Sequence, residues 1–455
     1  MTTTPEAITV ALTGDSIITR RVPADLDEPT RRLVALLQQA NVSFTNLEVL
    51  PNDFQGYPAV ESGGTHLAAP SWVLDELVAM GFDLFGCANN HALDYSIEGL
   101  LATMHELERR GLPYAGVGRT LADARMPAYV DHPNGSVAML SCTSTFAKSQ
   151  VAGEQRPEMQ GRPGLSPLRY QAVYDVTPEQ LSQLRKISAD LGLDRQQQEL
   201  IDMGFAFAPT DPEIFQFKEA NLRTAGQLDA SFRAADHTAV SSTPHEGDTD
   251  ALTTWVREAR ARADVVIVSL HSHEQGDDKE EPASFARDFA RRMIDAGADV
   301  VVGHGPHLLR GMELYDGKPI FYSLGNFIGQ NELVQKLPAD SYEQFRVDPT
   351  QTPSAVFRSR TDNDRRSFPA DARFWETIVP VCRFSGGELV GMDLTPVSLR
   401  HGERAYRRGR PRLAMGAEAE AIMSRFHRLS AALGTEVSQF PPLAQKVVAG
   451  AGGDP

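Results

Sequence analysis

The sequence predicts an α/β fold of layered sheets and helices with one inserted region. Three observations carry that expectation. Short, β-branched apolar runs alternate with amphipathic stretches, the rhythm of strands joined by crossover helices. Most of those runs end in a glycine or a polar side chain of the kind that ligates metals. Between residues 146 and 250 the rhythm lapses into polar sequence rich in Gly, Pro and Gln. The expected organisation is an α/β domain of residues 6–145 and 251–400, an inserted, mostly helical cap of residues 146–250, and a helical tail of residues 401–455. A chain of 455 residues exceeds one ordinary core, which agrees with such a division.

Residues 8–13 form a short apolar strand, and Gly14-Asp15-Ser16 is expected to break it, leaving the Asp15 carboxylate on the sheet rim. Residues 31–40 read as a helix with Leu33, Leu36 and Leu37 on one stripe. Residues 42–48 form a second strand, in which Asn46 and Glu48 share a face because side chains alternate. A glycine-rich loop over residues 56–70 precedes a helix at 71–80 with Ser71 as its cap. Residues 82–88 form a third strand, closed by Asn89-Asn90-His91, with Asp94 three residues on. After a helix over 96–110, Asn134-Gly135 signals a tight turn. The next strand ends at Ser141-Cys142-Thr143.

Within the insertion, residues 178–230 look largely helical, with Leu181, Leu184, Ile187 and Leu191 on one stripe, and residues 238–250 look like a loop. A helix over 255–263 restores the rhythm. Asp264-Val265-Val266-Ile267-Val268-Ser269-Leu270 then reads as a buried parallel strand. It ends in His271-Ser272-His273-Glu274, where alternation puts His271 and His273 on one face. After a helix over 284–296 comes Val300-Val301-Val302-Gly303-His304-Gly305-Pro306-His307. Gly303 allows a sharp turn and Pro306 stiffens the loop between two imidazoles. Two strands at 377–384 and 389–394, a basic run at 404–412 read as mostly solvated surface, with anchoring of an acidic ligand as the alternative, and a helix at 417–433 complete the chain.

Composition narrows the partners. With 60 acidic against 44 basic residues the formal charge is −16, which argues against nucleic acid and anionic membranes. No run of 18 apolar residues and no secretory signal is visible, so a soluble cytoplasmic protein is expected. Cys87, Cys142 and Cys382 are too few and scattered for a disulfide framework and read as buried free thiols.

The rim residues Asp15, Glu48, Asn90, His91, His271, His273, His304 and His307 combine imidazole with oxygen donors. Imidazole suits Zn, Mn or Fe, and the oxygen donors suit Mn, Mg or Ca. One or two divalent ions are expected. Two ions ~3.5–4 Å apart would share a carboxylate, from Glu48 or Asp15.

Thr13-Gly14-Asp15, Asn46-Leu47-Glu48, Ala88-Asn89-Asn90-His91, His271 with Glu274, Gly303-His304-Gly305-Pro306-His307 and Tyr322-Ser323-Leu324-Gly325-Asn326-Phe327 resemble the CapA family, named for poly-γ-glutamate capsule synthesis. The resemblance covers about residues 8–330 outside the insertion. It implies a sandwich similar to calcineurin-like metallophosphatases, with Asp15, Glu48, Asn90, His271, His304 and His307 as metal ligands. His91 matches the histidine that handles protons beside the metals. The family's His-Trp-Gly-x-Glu block reads His-Ser-His-Glu here, so His273 is additional and Glu274 comes one residue early. The membrane-associated members usually carry an N-terminal anchor, which is not expected here.

A CapA-like chain of this length and insertion also resembles the lasso peptide epimerases, which invert the α-carbon of a C-terminal residue in a precursor peptide. That resemblance implies a peptide substrate and metal-assisted acid/base chemistry, with acid and base among His91, His273, Asp94, Glu274 and Cys142. The alternative is hydrolysis of a phosphoester or a γ-glutamyl amide, with His91 protonating the leaving group. A third class is a metal-stabilised binding module without turnover.

Overall fold

A computed structural model describes residues 7–437 except 24, 210 and 220–228. The chain forms two compact units. The larger takes the residues up to Leu168, Gly247–Pro282 and those from Phe289 on; the smaller takes Arg169–Glu246 with Ala283–Asp288.

The larger unit is a layered α/β structure built on two sheets. In one, the order is Arg412–Leu413, Glu388–Ser398, Glu376–Ser385, Ile8–Ile17, Val42–Leu47, Leu84–Gly86 and Tyr114–Ala115, with Asn326–Gly329 beside the far end of Ile8–Ile17. In the other, Met312–Tyr315, Lys318–Phe321, Val300–His304, Val265–His271, Gly135–Thr143 and Ala128–His132 follow in order. The central strands of each sheet run parallel. Alternation decides which residues line the sandwich. Val10, Leu12, Val42, Phe44, Val265, Ile267, Val300 and Val302 form one apolar cluster. Ala11, on the opposite face of its strand, packs with Leu33, Leu37, Leu74, Leu77, Leu100, Met104 and Leu107 from helices Glu28–Gln39, Val73–Met80 and Ser96–Arg109.

Parallel strands share one direction, so their carboxyl ends meet along a single rim. Asp15, Glu48, Asn90, His271 and His304 come at or just after such ends. Gly14-Asp15-Ser16 does not break its strand as expected. Ile8–Ile17 continues through it with a register shift on each side of Asp15. A Cβ at Gly14 would run into the Gly325 carbonyl, and the Asp15 N–H donates to that same oxygen at 2.9 Å. The glycine therefore permits a bulge that re-aims Asp15.

Other local expectations are corrected. Ser71 does not cap its helix: Val73–Met80 starts after Trp72 without a side-chain cap, and the Ser71 N–H donates to Asp53. Residues 238–250 hold strand Ala239–Pro244 and the start of helix Glu246–Arg260 rather than a loop. In the basic run Arg408 is buried, paired with Glu332 at 2.5 Å and Asp364 at 3.0 Å. Helix Ala417–Ala432 is not set apart: Ile422, Phe426 and Leu429 join the sandwich core. The remainder of the expected tail, from 438, lies outside the described residues.

The smaller unit is narrower than residues 146–250 and is not mostly helical. Beside helices Pro178–Leu191 and Leu193–Asp202 it holds a four-stranded sheet, ordered Phe215–Lys218, Asp229–Ala234, Tyr170–Val176, Ala239–Pro244. Thr177 and Gln180 cap the first helix reciprocally. The expected helical run 178–230 thus ends at Asp202, and its residues 210 and 220–228 lie outside the described residues. The three cysteines are buried free thiols, and no described helix is long and apolar enough to cross a membrane.

Candidate metal centre

Five of the predicted ligands converge. Asp15 Oδ1 lies 3.4 Å from His304 Nδ1 and 3.6 Å from His271 Nδ1. His307 Nδ1 is 3.6 Å from Asp15 Oδ2 and 3.7 Å from Glu48 Oε2. Glu48 Oε1 is 3.7 Å from His271 Nε2. His271 and His304 bring Nδ1 atoms within 2.9 Å, and His273 Nε2 stands 3.1 Å from His271 Nε2. Ligands about 2.0–2.2 Å from one ion stand roughly 3–3.5 Å apart, so the spacings fit a coordination sphere. Three overlapping sets could each hold an ion: Asp15, His271 and His304; Glu48, His271 and His273; Asp15, Glu48 and His307.

The polar accounting supports the same reading. Both Glu48 oxygens and Asn90 Oδ1 are buried without a hydrogen-bond partner. Unpaired buried oxygens are costly, and a cation would satisfy them. Asn90 donates through Nδ2 to the Gly63 carbonyl at 3.3 Å, leaving its orphaned oxygen as the ligand-type atom. Burial, followed by the charge of Asp15, raises the Glu48 carboxyl well above its ordinary range. Burial lowers His271 and His273 well below 6.5 and takes His304 down to about 3. Their imidazoles are therefore neutral, the form that ligates metals.

A supporting shell orients these groups. Asn46 Nδ2 donates to Asp15 Oδ1 at 2.8 Å, and the Gly305 N–H donates to Asp15 Oδ2 at 3.0 Å. Gly305 has φ 119°, a backbone that a side chain would strain. Ser269 Oγ meets His304 Nε2 at 2.7 Å, leaving Nδ1 for the centre. Asn326 Oδ1 meets His307 Nδ1 at 2.9 Å, the same nitrogen that faces Asp15 and Glu48, so this contact competes with an ion for it.

The predicted acid/base residues separate into three groups. His91 and Asp94 form a buried pair at 2.6 Å, and His91 directly follows the candidate ligand Asn90 in the chain. Glu274 is committed elsewhere: it accepts the hydroxyls of Ser144 at 2.5 Å, Thr145 at 3.0 Å and Ser272 at 3.0 Å. Thr145 Oγ1 in turn accepts the His273 N–H at 2.9 Å, so Glu274 braces the loop that carries His273. Cys142 is off the centre. It pairs in register with Leu270, whereas Thr143 pairs with His271, so alternation turns its thiol to the opposite face of the sheet. There it meets the charges of Asp248 and Arg125, and burial raises its pKa.

A family model described as "Bacterial capsule synthesis protein PGA_cap" matches residues 9–331. The chain belongs to this family. The uncharacterized protein y4sH of Sinorhizobium fredii (strain NBRC 101917 / NGR234) is 33% identical over 448 residues, covering 95% of this chain and 91% of that protein. The PGA biosynthesis protein CapA of Bacillus subtilis (strain 168) is 26% identical over 264 residues, 58% of this chain and 47% of its own length. The capsule biosynthesis protein CapA of Bacillus anthracis is 24% identical over 330 residues, 71% of this chain and 60% of its own. The PGA_cap match runs through Asp15, Glu48, Asn90, His271, His304 and His307 and stops before Arg360 and Phe368, which no sequence motif marked.

Proposed function

We propose that this chain is a metal-dependent enzyme that acts on a peptide by inverting an α-carbon, on a metallophosphatase-like sandwich. The observation that supports the reading is that two candidate imidazoles, His91 and His273, follow strands of the two different sheets. His91 follows Leu84–Gly86 in one sheet, and His273 follows Val265–His271 in the other. Inversion needs one group to remove the α-proton and a second to return a proton on the opposite face. Asp94 holds the His91 Nδ1 proton, which leaves Nε2 as the exchanging atom. A divalent ion held by Asp15, Glu48, His271 and His304 would polarise the adjoining carbonyl and stabilise the charge left when the proton departs. Asn90 and His307 complete the proposed ligand set. The relatives named for PGA and capsule biosynthesis support a peptide-like substrate class.

One observation favours a second reading, hydrolysis of a γ-glutamyl amide or a phosphoester. Asp15, Glu48 and His271 each belong to two of the three candidate triads, and shared ligands of that kind suit a two-ion clamp. In that case His91 donates its proton to the leaving group. Incubating the metal-loaded protein with candidate peptides in D2O separates the two. Deuterium at an α-carbon with the chain uncut supports inversion; release of amine or phosphate with no α-deuterium replaces it by hydrolysis.

A further inference from the structure

Arg360 is a half-buried cation near the centre, and among the described residues no carboxylate forms an ion pair with it. Among the described residues its guanidinium makes one hydrogen bond, from Nη1 to the neutral Thr65 hydroxyl at 2.6 Å. Its guanidinium lies 5.8 Å from the Phe345 ring and 5.9 Å from the Phe368 ring. Phe368 in turn sets its edge against His307 at 5.2 Å between centroids. One aromatic ring therefore separates this charge from a proposed ligand. The acid whose charge Arg360 feels, Glu332, pairs with Arg408 at 2.5 Å instead. Burial accordingly lowers the Arg360 pKa. A desolvated cation without a partner costs stability, and such groups persist where a ligand supplies the opposite charge.

The segment that presents it is strained. Ser367, just before Phe368, holds φ 63° with ψ −155°, a region that favours glycine almost alone. Asp362, Asn363 and Asp364 are left-handed in succession. The Trp375 indole N–H donates to the Phe368 carbonyl at 2.7 Å and fixes the ring against His307. Strain kept beside a reaction centre is a mark of a functional loop.

We propose that Arg360 is the carboxylate anchor of the centre, taking a free carboxylate of the peptide substrate across Phe368 from His307. This rests on the reading of the cluster as a reaction centre. A guanidinium fork matches a carboxylate with two parallel hydrogen bonds, with the Thr65 hydroxyl beside it. That carboxylate comes either from the peptide C-terminus or from along a γ-glutamyl chain.

The test is binding to the metal-loaded full chain, which needs no turnover. The probes are a random pentapeptide pool with free C-termini and a γ-glutamyl decamer with free α-carboxylates, each set against its amidated counterpart. The expected result is that the wild type binds at least one acid probe about tenfold better than its amide. Arg360→Gln removes that preference while metal content stays at the wild-type value, and Arg360→Lys restores part of it. Which probe responds tells the two sources apart. A wild type indifferent to amidation, or Arg360→Gln with an undiminished preference, overturns the proposal. If the acid preference holds but D2O incubation yields neither α-deuterium nor released amine, the reaction reading fails and the anchor stands.

Discussion

His91 Nδ1 stands 2.6 Å from Asp94 Oδ2, and the same oxygen accepts the Leu67 N–H at 2.7 Å. A backbone donor thus pins the carboxylate that orients the imidazole. Asp94→Asn removes the charge that stabilises the imidazolium and weakens the choice of tautomer. Turnover of the responsive substrate should fall about a hundredfold or more. Metal content should not change, since Asp94 is not in the cluster. Steady-state rates with elemental analysis on the same preparation check both halves.

Asn46 acts through Asp15. Its amide donor reaches Asp15 Oδ1, and Asp15 in turn meets three imidazoles. Asn46→Ala should weaken metal affinity by about 10- to 100-fold without removing a ligand. A competition titration with a chromophoric chelator measures it.

The pH dependence of the metal-free protein follows from burial. His271, His273 and His304 are held neutral below their ordinary value of 6.5. Unfolding frees them to take protons near that value, so the unfolded chain binds more protons as pH falls. Stability should therefore drop as pH goes from about 7 to 5. Glu48 works in the opposite sense, because its raised pKa lets the folded chain bind the extra proton. Three imidazoles outweigh one carboxyl. Thermal melts of chelator-treated protein across that range should show a falling melting temperature, and a rising one would contradict the assignment.

Cys142 faces away from the centre. Cys142→Ala should lower stability by about 1–2 kcal/mol for the lost packing and leave activity per folded molecule unchanged. Loss of activity without loss of stability would return the thiol to the reaction.

The ligand-bearing strand ends were legible because each is a run of apolar residues stopped by a polar one. A parallel sheet brings such ends to one rim whatever their separation in the chain. Asp15, Glu48, His271, His304 and His307 meet for that reason. Reading Cys142 as a candidate overlooked the same periodicity: one residue along a strand changes the face. The sheet of the smaller unit escaped because Tyr170–Val176 is half-exposed on both faces, so no clean alternation marks it. Its parallel neighbour Asp229–Ala234 also comes more than fifty residues later. Arg360 carries no motif. Its meaning arises only when Phe368 folds against His307, a contact between segments far apart in the chain.

The most direct test is elemental analysis of the purified full chain beside Asp15→Ala and His304→Ala variants that retain the wild-type circular dichroism spectrum. One or two equivalents of a transition metal are expected in the wild type, with a clear loss in both variants. A wild type that takes up no divalent ion on reconstitution, or variants that hold metal as well as it does, would contradict that expectation.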